Sequence, residues 1–256
     1  MITRERPEKA ENENLIEGRQ AVREALRAGA PVEKILILDG CHDGPVETIR
    51  REAKKTDAVV RFVSQTRLDQ LSETGRHQGV IAFVASFSYA SVDDILKRAE
   101  DKNEKPFIFI LNNIEDPHNL GAIIRTANVC GAHGVIIPKN RSAHLTATVA
   151  RVSAGAVMHT PVARVTNLTD TIEDLKAKGL WFVCADMGGT PMYELDLKGP
   201  IGLVIGNEGA GVSVRVKKAC DISASIPVLG EIESLNASVA AGVLAYEIVR
   251  QRTASK

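Results

Sequence analysis

Apolar positions along the chain fall into short unbroken runs separated by stretches with helical spacing, a pattern that predicts strands and helices in alternation. In the first third, residues 15–28 have helical periodicity and 34–38 (Lys-Ile-Leu-Ile-Leu) read as a strand. A helix over 46–55, a strand over 59–63, a short helix near 66–71 and a strand over 80–85 follow, enough for a compact α/β unit. Residues 88–105 then become strongly polar, with Asp93, Asp94, Lys97, Arg98, Glu100, Asp101, Lys102 and Glu104, which reads as a connecting helix and linker. From Pro106 the alternation resumes: strands at 107–111, 134–137, 181–185, 202–205 and 222–227, with helices at 120–130, 145–154, 168–178, from 212 onward and from about 234 to 252. This order predicts an α/β fold with a mainly parallel sheet covered on both faces. The expected division is a charged tail at 1–14, a small domain at 15–88, a linker at 89–105 and a larger domain at 106–256.

Composition narrows the picture only a little. The 256 residues carry 32 basic and 32 acidic side chains, so no overall charge advertises a nucleic-acid partner and any such role rests on local patches. Arg50, Arg51, Lys54 and Lys55 on one predicted helix, then Lys139, Arg141 and Arg151, are candidates for such patches or for solvated faces. Cys41, Cys130, Cys184 and Cys220 are scattered without metal-ligand spacing, which argues against zinc and against a disulfide framework. The first fourteen residues lack the apolar core of a signal peptide, and no later run approaches bilayer length. A reduced, cytoplasmic protein is expected.

Candidate chemistry gathers where predicted strands give way to helices, since ligands in open parallel sheets bind beyond the carboxyl ends of strands. Three such joins stand out. The first is Asp116-Pro117-His118-Asn119-Leu120-Gly121 with Arg125, where Asn119 reads as the N-cap of a helix and Arg125 as able to reach back over the strand ends. The second is Gly206-Asn207-Glu208-Gly209-Ala210-Gly211, whose spacing is neither a dinucleotide fingerprint nor a P-loop. Its glycines offer backbone without side-chain bulk, either for a ligand or merely for a tight turn. The third is Ile226-Pro227 followed by Ser234-Leu235-Asn236-Ala237-Ser238, where Asn236 and the serines suit a helix start. His118 has no triad-like companions and receives no catalytic role.

Taken together, these segments resemble the three signature motifs of the SPOUT superfamily, in its SpoU/TrmH branch of RNA ribose 2′-O-methyltransferases. Asn119-x-Gly121-x-x-x-Arg125 is similar to the first motif, Gly206-Asn207-Glu208-Gly209-x-Gly211 to the second, and Ile226-Pro227 with Ser234-Leu235-Asn236-x-Ser238-x-Ala240 to the third. The likeness spans 106–252 and continues into the first domain. There, Ile16-Glu17-Gly18-Arg19-Gln20-Ala21-Val22 and His77-Gln78-Gly79-Val80 resemble the N-terminal domain of the bacterial 23S rRNA guanosine 2′-O-methyltransferases. Departures are Val228-Leu229, where relatives commonly place methionine first, and the acidic Glu231 and Glu233.

The resemblance implies a C-terminal α/β knot, a deep trefoil, preceded by a small domain like ribosomal protein L30e that helps bind RNA. It implies S-adenosylmethionine as cofactor, with Gly206, Ile226 and Leu235 at the binding positions and no metal. The substrate implied is a guanosine ribose of 23S rRNA. The same reaction on tRNA, or a non-catalytic RNA-binding or assembly role, are the alternatives. The matched catalytic positions are Arg125, Asn119, Glu208, Ser234 and Asn236. A guanidinium stays charged at ordinary pH, so an electrostatic role suits Arg125 better than that of a base. Asn119 and Asn236 would orient ribose and loops, Ser234 would support the arginine side, and Glu208 would hold the second loop in shape. A homodimer whose acceptor site is completed by the partner subunit is also implied.

Overall fold

The computed structural model describes residues 15–56, 58–84, 87–207, 209–232 and 234–254. The charged tail at 1–14 lies outside them, as do Glu208 and Glu233. The chain divides into two compact units, Met1–Ser88 and Tyr89–Lys256.

The first unit is built on a four-stranded sheet with β1 (Leu15–Glu17), β2 (Val32–Leu38), β3 (Val59–Val63) and β4 (Val80–Val84) in the order β1-β4-β2-β3. Strands β2 and β3 run parallel, and β4 is antiparallel to both β1 and β2. Alternation along β2 sends Ile35 and Ile37 to one face, where α1 (Arg19–Arg27) and α2 (Gly44–Ala53) bury them with Val22, Leu26 and Ile49. Leu36 faces the other way, against Ile81 and Leu68 of α3 (Gln65–Leu71).

The helix expected over 15–28 is thus a strand followed by a shorter helix. Leu15 and Ile16 pair with β4, and Gly18, at φ 95°, breaks the chain direction before the helix begins. The two segments noted around Gly18 and Gln78 interlock: the Arg19 amide donates to Gln78 Oε1 and its Nε to the Gln78 carbonyl. Glu17 accepts from the hydroxyls of Ser72 and Thr74 and from two backbone amides, so it holds the turn after α3. His77 is buried, with Nδ1 accepting from the Gly79 amide and Nε2 directed at Asp69 at 3.0 Å.

The second unit carries a six-stranded sheet, all of whose strand pairs are parallel, in the order β10-β8-β9-β5-β6-β7. The strands are β5 (Phe107–Asn112), β6 (Gly134–Pro138), β7 (Val162–Val165), β8 (Trp181–Pro191), β9 (Ile201–Gly206) and β10 (Ile222–Ser225). Every residue of β5 is buried, as an unbroken apolar run covered on both faces requires. Strand β7 was not anticipated, because Val-Ala-Arg-Val is too short and mixed to read as one.

On one face, Ile108, Ile110, Ile136, Phe182 and Val204 pack against α4 (Val92–Asp101), α7 (Leu168–Ala177) and α8 (Val214–Ala219). Helix α4 lies in the stretch read as a linker, yet Ile95 and Ala99 are fully buried. Gly134 leaves room for it: a Cβ there would lie 2.5 Å from the Ile95 side chain. The reading from polarity missed this because a helix needs only one apolar stripe to dock, and charged residues fill the rest. The remaining helices are α5 (Pro117–Val129), which packs on both α6 (Ala147–Val152) and α9 (Ala237–Thr253).

Candidate active site

A cavity of about 380 Å³ opens beside the middle of β8, where β9 and β10 end, within the size range of small-molecule sites. The second and third loops and α9 enclose it. Gly206, Ile226, Leu235 and Ser234, drawn from two separate loops in the sequence, all line it. Its walls are largely apolar, with Ile205, Val212 and Leu244 among them.

Close backbone approach explains the glycine that opens the second loop. A Cβ on Gly206 would lie 2.2 Å from the carbonyl carbon of Gly211 and from the amide of Val212, so no other residue fits without moving the main chain. Asn207 organises the turn: its Oδ1 accepts from the Gly209 and Ala210 amides at 2.8 and 3.3 Å, and its Nδ2 donates to the Asn113 carbonyl at 3.3 Å. The loop-holding role assigned to Glu208 falls outside the described residues.

The first motif contributes differently from the expectation. Helix α5 begins at Pro117 and is capped by Asp116, whose carboxylate accepts from the His118 amide at 2.9 Å. Pro117 at the first position has no amide to satisfy, which favours this start over one at Asn119. Asn119 therefore sits inside the first turn, buried, and accepts a hydrogen bond from Asn236 Nδ2 at 3.0 Å. Asn236 is an N-cap, with Oδ1 accepting from the Ser238 and Val239 amides. Gly121 serves packing: a Cβ there would lie 2.8 Å from Val152, so the glycine lets α5 and α6 approach closely.

Arg125 does not line the cavity of its own chain. It is exposed on α5 and has no ion pair among the described residues. Six residues separate it from Asn119, about 9 Å along the axis and about 120° around it.

Sequence reasoning missed several lining groups. Cys184, Asp186 and Met187 come from the middle of β8, where its pairing with β9 ends, and Lys217 from α8. Asp186 and Lys217 form an ion pair, whose hydrogen bond raises the lysine pKa. Only the position of Asp186, just beyond the strand read over 181–185, could have flagged it. Asn112, buried at the end of β5, accepts from the Ser213 amide at 2.7 Å and anchors the far side of the second loop. The Asn112-Asn113 pair closing an apolar run was its signal.

Comparison with known proteins bears on this arrangement. The model of the SpoU rRNA methylase family matches residues 106–246, and that of the RNA 2′-O ribose methyltransferase substrate-binding domain matches 15–90. The chain belongs to the SpoU rRNA methylase family. It is 46% identical over 236 residues to YacO of Bacillus subtilis, a protein named for the TrmH family of tRNA/rRNA methyltransferases, covering 92% of this chain and 94% of that one. A relative from Staphylococcus saprophyticus is 45% identical over 241 residues, covering 94% of this chain and 96% of its own. Among solved structures, the SpoU methyltransferase AviRb of Streptomyces viridochromogenes, in complex with AdoMet, superposes with a TM-score of 0.59 at 30% identity, covering 94% of this chain and 90% of that one. An AdoMet-bound rRNA methyltransferase from Sinorhizobium meliloti gives 0.56 at 26% identity, covering 93% and 87%. The family member described here is an RNA ribose 2′-O-methyltransferase, with a mainly parallel α/β catalytic unit that matches SpoU methyltransferase structures, preceded in the sequence by a substrate-binding domain.

Proposed function

We propose that this enzyme methylates the ribose 2′-hydroxyl of a guanosine in 23S rRNA, in the cytoplasm, as a homodimer, with S-adenosylmethionine as methyl donor. The observation that carries the assignment is the convergence of Gly206, Ile226, Ser234 and Leu235 on one cavity. The residues fit the cofactor: the Gly206 backbone leaves room that a side chain would fill, the walls are apolar enough for a flat purine, and Asp186 and Lys217 supply charge for a zwitterionic end. When bound, the cofactor supplies a methyl group already activated by its sulfonium.

The protein must then align the acceptor and stabilise charge on its oxygen. The 2′-oxygen would take that methyl group, its hydroxyl proton leaving to water. Arg125 is the group suited to gripping a neighbouring phosphate and stabilising the developing alkoxide. Its exposed position on α5, away from the cavity of its own chain, supports a site completed across the dimer, where Arg125 of one subunit serves the cavity of the other. Exposed Val129 on α5 and Val239 and Tyr246 on α9 give that pairing an apolar surface. Asn119 and Asn236 hold the motif loops together, and Ser234 contributes at the cavity wall. Among the described residues no helix is long and apolar enough to cross a membrane.

Mapping of 2′-O-methylation in ribosomal and transfer RNA from cells with and without the gene tests the substrate. Loss of one methylated guanosine in 23S rRNA is expected. Loss confined to tRNA would replace the ribosomal assignment with the transfer-RNA one.

A further inference from the structure

We propose that residues 228–232 form a strap that folds down over the mouth of the cavity once the cofactor is seated, with Leu229 and Ile232 as the side chains that seal it. The inference rests on the reading of the cavity as a seat for S-adenosylmethionine and adds the part that closes it.

Both ends of the strap are anchored. Before it, the Ser225 hydroxyl donates to the Gly189 carbonyl of β8 at 2.9 Å. After it, Asn236 Nδ2 donates to Asn119 Oδ1 at 3.0 Å while the same residue caps α9. Between these anchors, none of the described residues from 226 to 235 lies in a helix or strand. Val228 and Ser234 line the cavity, but Leu229 and Ile232 do not and are 98% and 79% exposed. Gly230 between them stands in open space, since a Cβ there would meet nothing within 4 Å. The chain thus leaves the cavity wall after Val228, returns to it by Ser234, and carries two large apolar side chains out into water on the way.

The opposite rim matches. Met187 of β8 and Val214 of α8 line the cavity and are themselves exposed. Met187 is held there by a break in pairing: the β8–β10 register passes from Cys184 opposite Ser223 to Thr190 opposite Ala224, so 185–189 bulge out of the sheet beside the cavity. Apolar side chains therefore stand on both sides of one mouth, where leaving them in water is unfavourable. Folding the tip of the strap onto Met187 and Val214 buries apolar surface on both sides, and the anchored ends confine the movement to the residues between them. Closure of this kind keeps water from an activated methyl group.

The experiment is limited digestion of the full-length chain by a glutamate-specific protease, with and without S-adenosylhomocysteine and in the absence of RNA, following cleavage after the exposed Glu231. Saturating S-adenosylhomocysteine is expected to slow that cleavage by about tenfold or more, because cleavage follows the population in which the segment is open. Leu229→Ser/Ile232→Ser is expected to melt like the wild type, to lose the protection, and to bind S-adenosylhomocysteine about tenfold more weakly, chiefly through faster dissociation. Cleavage equally fast with the ligand bound, or wild-type affinity in the variant, would overturn the strap. So would a variant that binds S-adenosylhomocysteine normally but loses RNA affinity or changes its sedimentation, since the tip would then belong to the RNA or to a second subunit. Failure of the wild-type chain to bind S-adenosylhomocysteine at all would overturn the cofactor reading and the strap with it, whereas binding without protection strikes the strap alone.

Discussion

The side-chain amide of Asn236 donates to Oδ1 of Asn119 at 3.0 Å, tying together residues 117 positions apart in the chain. Two signature motifs are thereby fixed to each other at the first turns of α5 and α9. Asn236 has a second role as N-cap, whose loss typically costs about 1 kcal/mol. Asn119→Ala removes the link, whereas Asn236→Ala removes both the link and the cap. Denaturant unfolding is expected to show Asn236→Ala less stable than Asn119→Ala by about 1 kcal/mol. Equal losses would mean that the cap contributes nothing.

Gly206→Val is expected to abolish cofactor affinity. The added carbon would meet the Gly211 and Val212 backbone at 2.2 Å, and main chain cannot swing aside as a flexible side chain can. Calorimetry with S-adenosylhomocysteine checks this, and wild-type affinity in the variant would contradict a cofactor seat built on that backbone.

Arg125→Ala is expected to bind cofactor normally but lose about 2.7–4 kcal/mol of transition-state stabilisation, roughly a hundred- to thousand-fold in rate. Arg125→Lys keeps charge but loses the planar fork, and is expected to fall between the two. If Arg125 serves the partner's cavity, mixing Arg125→Ala with Gly206→Val subunits restores part of the activity, because some mixed dimers hold one intact site. A mixture as inactive as either parent would argue for a site contained in one chain.

Stability at acid pH is expected to depend on Glu17. Burial acts to raise its carboxyl pKa, but hydrogen bonds from the Ser72 and Thr74 side chains and from the Glu73 and Thr74 amides outweigh it and hold the pKa at about 2. A depressed carboxyl contributes stability that is complete above its unfolded value of 4.5 and is lost as pH falls through its folded value. Glu17→Gln is expected to cost about 1–3 kcal/mol near neutrality. Its deficit relative to wild type should shrink as pH falls from 4.5 toward 2. A deficit constant across that range would assign the loss to packing instead of charge.

Much of the fold was legible because its central strands are unbroken apolar runs, with Phe107–Asn112 the clearest case. The cavity was legible too, since Gly206 and Ile226 sit at strand ends in a parallel alternation and Leu235 just before the last helix. What escaped was set by contacts distant in sequence. Leu15 and Ile16 are strand residues only because β4 lies beside them, and α4 looks like a linker until Ile95 meets Gly134. Asn119 looks like a cap until Asp116 takes that place. The Asp186–Lys217 pair has no local signature, because strand β8 and helix α8 deliver one partner each.

Methyl transfer to the ribose is the central claim, and the product's chemistry tests it directly. The purified enzyme is incubated with methyl-labelled S-adenosylmethionine and rRNA, and the RNA is then hydrolysed in alkali. A 2′-O-methyl group removes the hydroxyl that attacks the neighbouring phosphate, so label in alkali-resistant dinucleotides is expected, with Arg125→Ala giving almost none. Label released in mononucleotides would place the methyl group on a base and contradict the account.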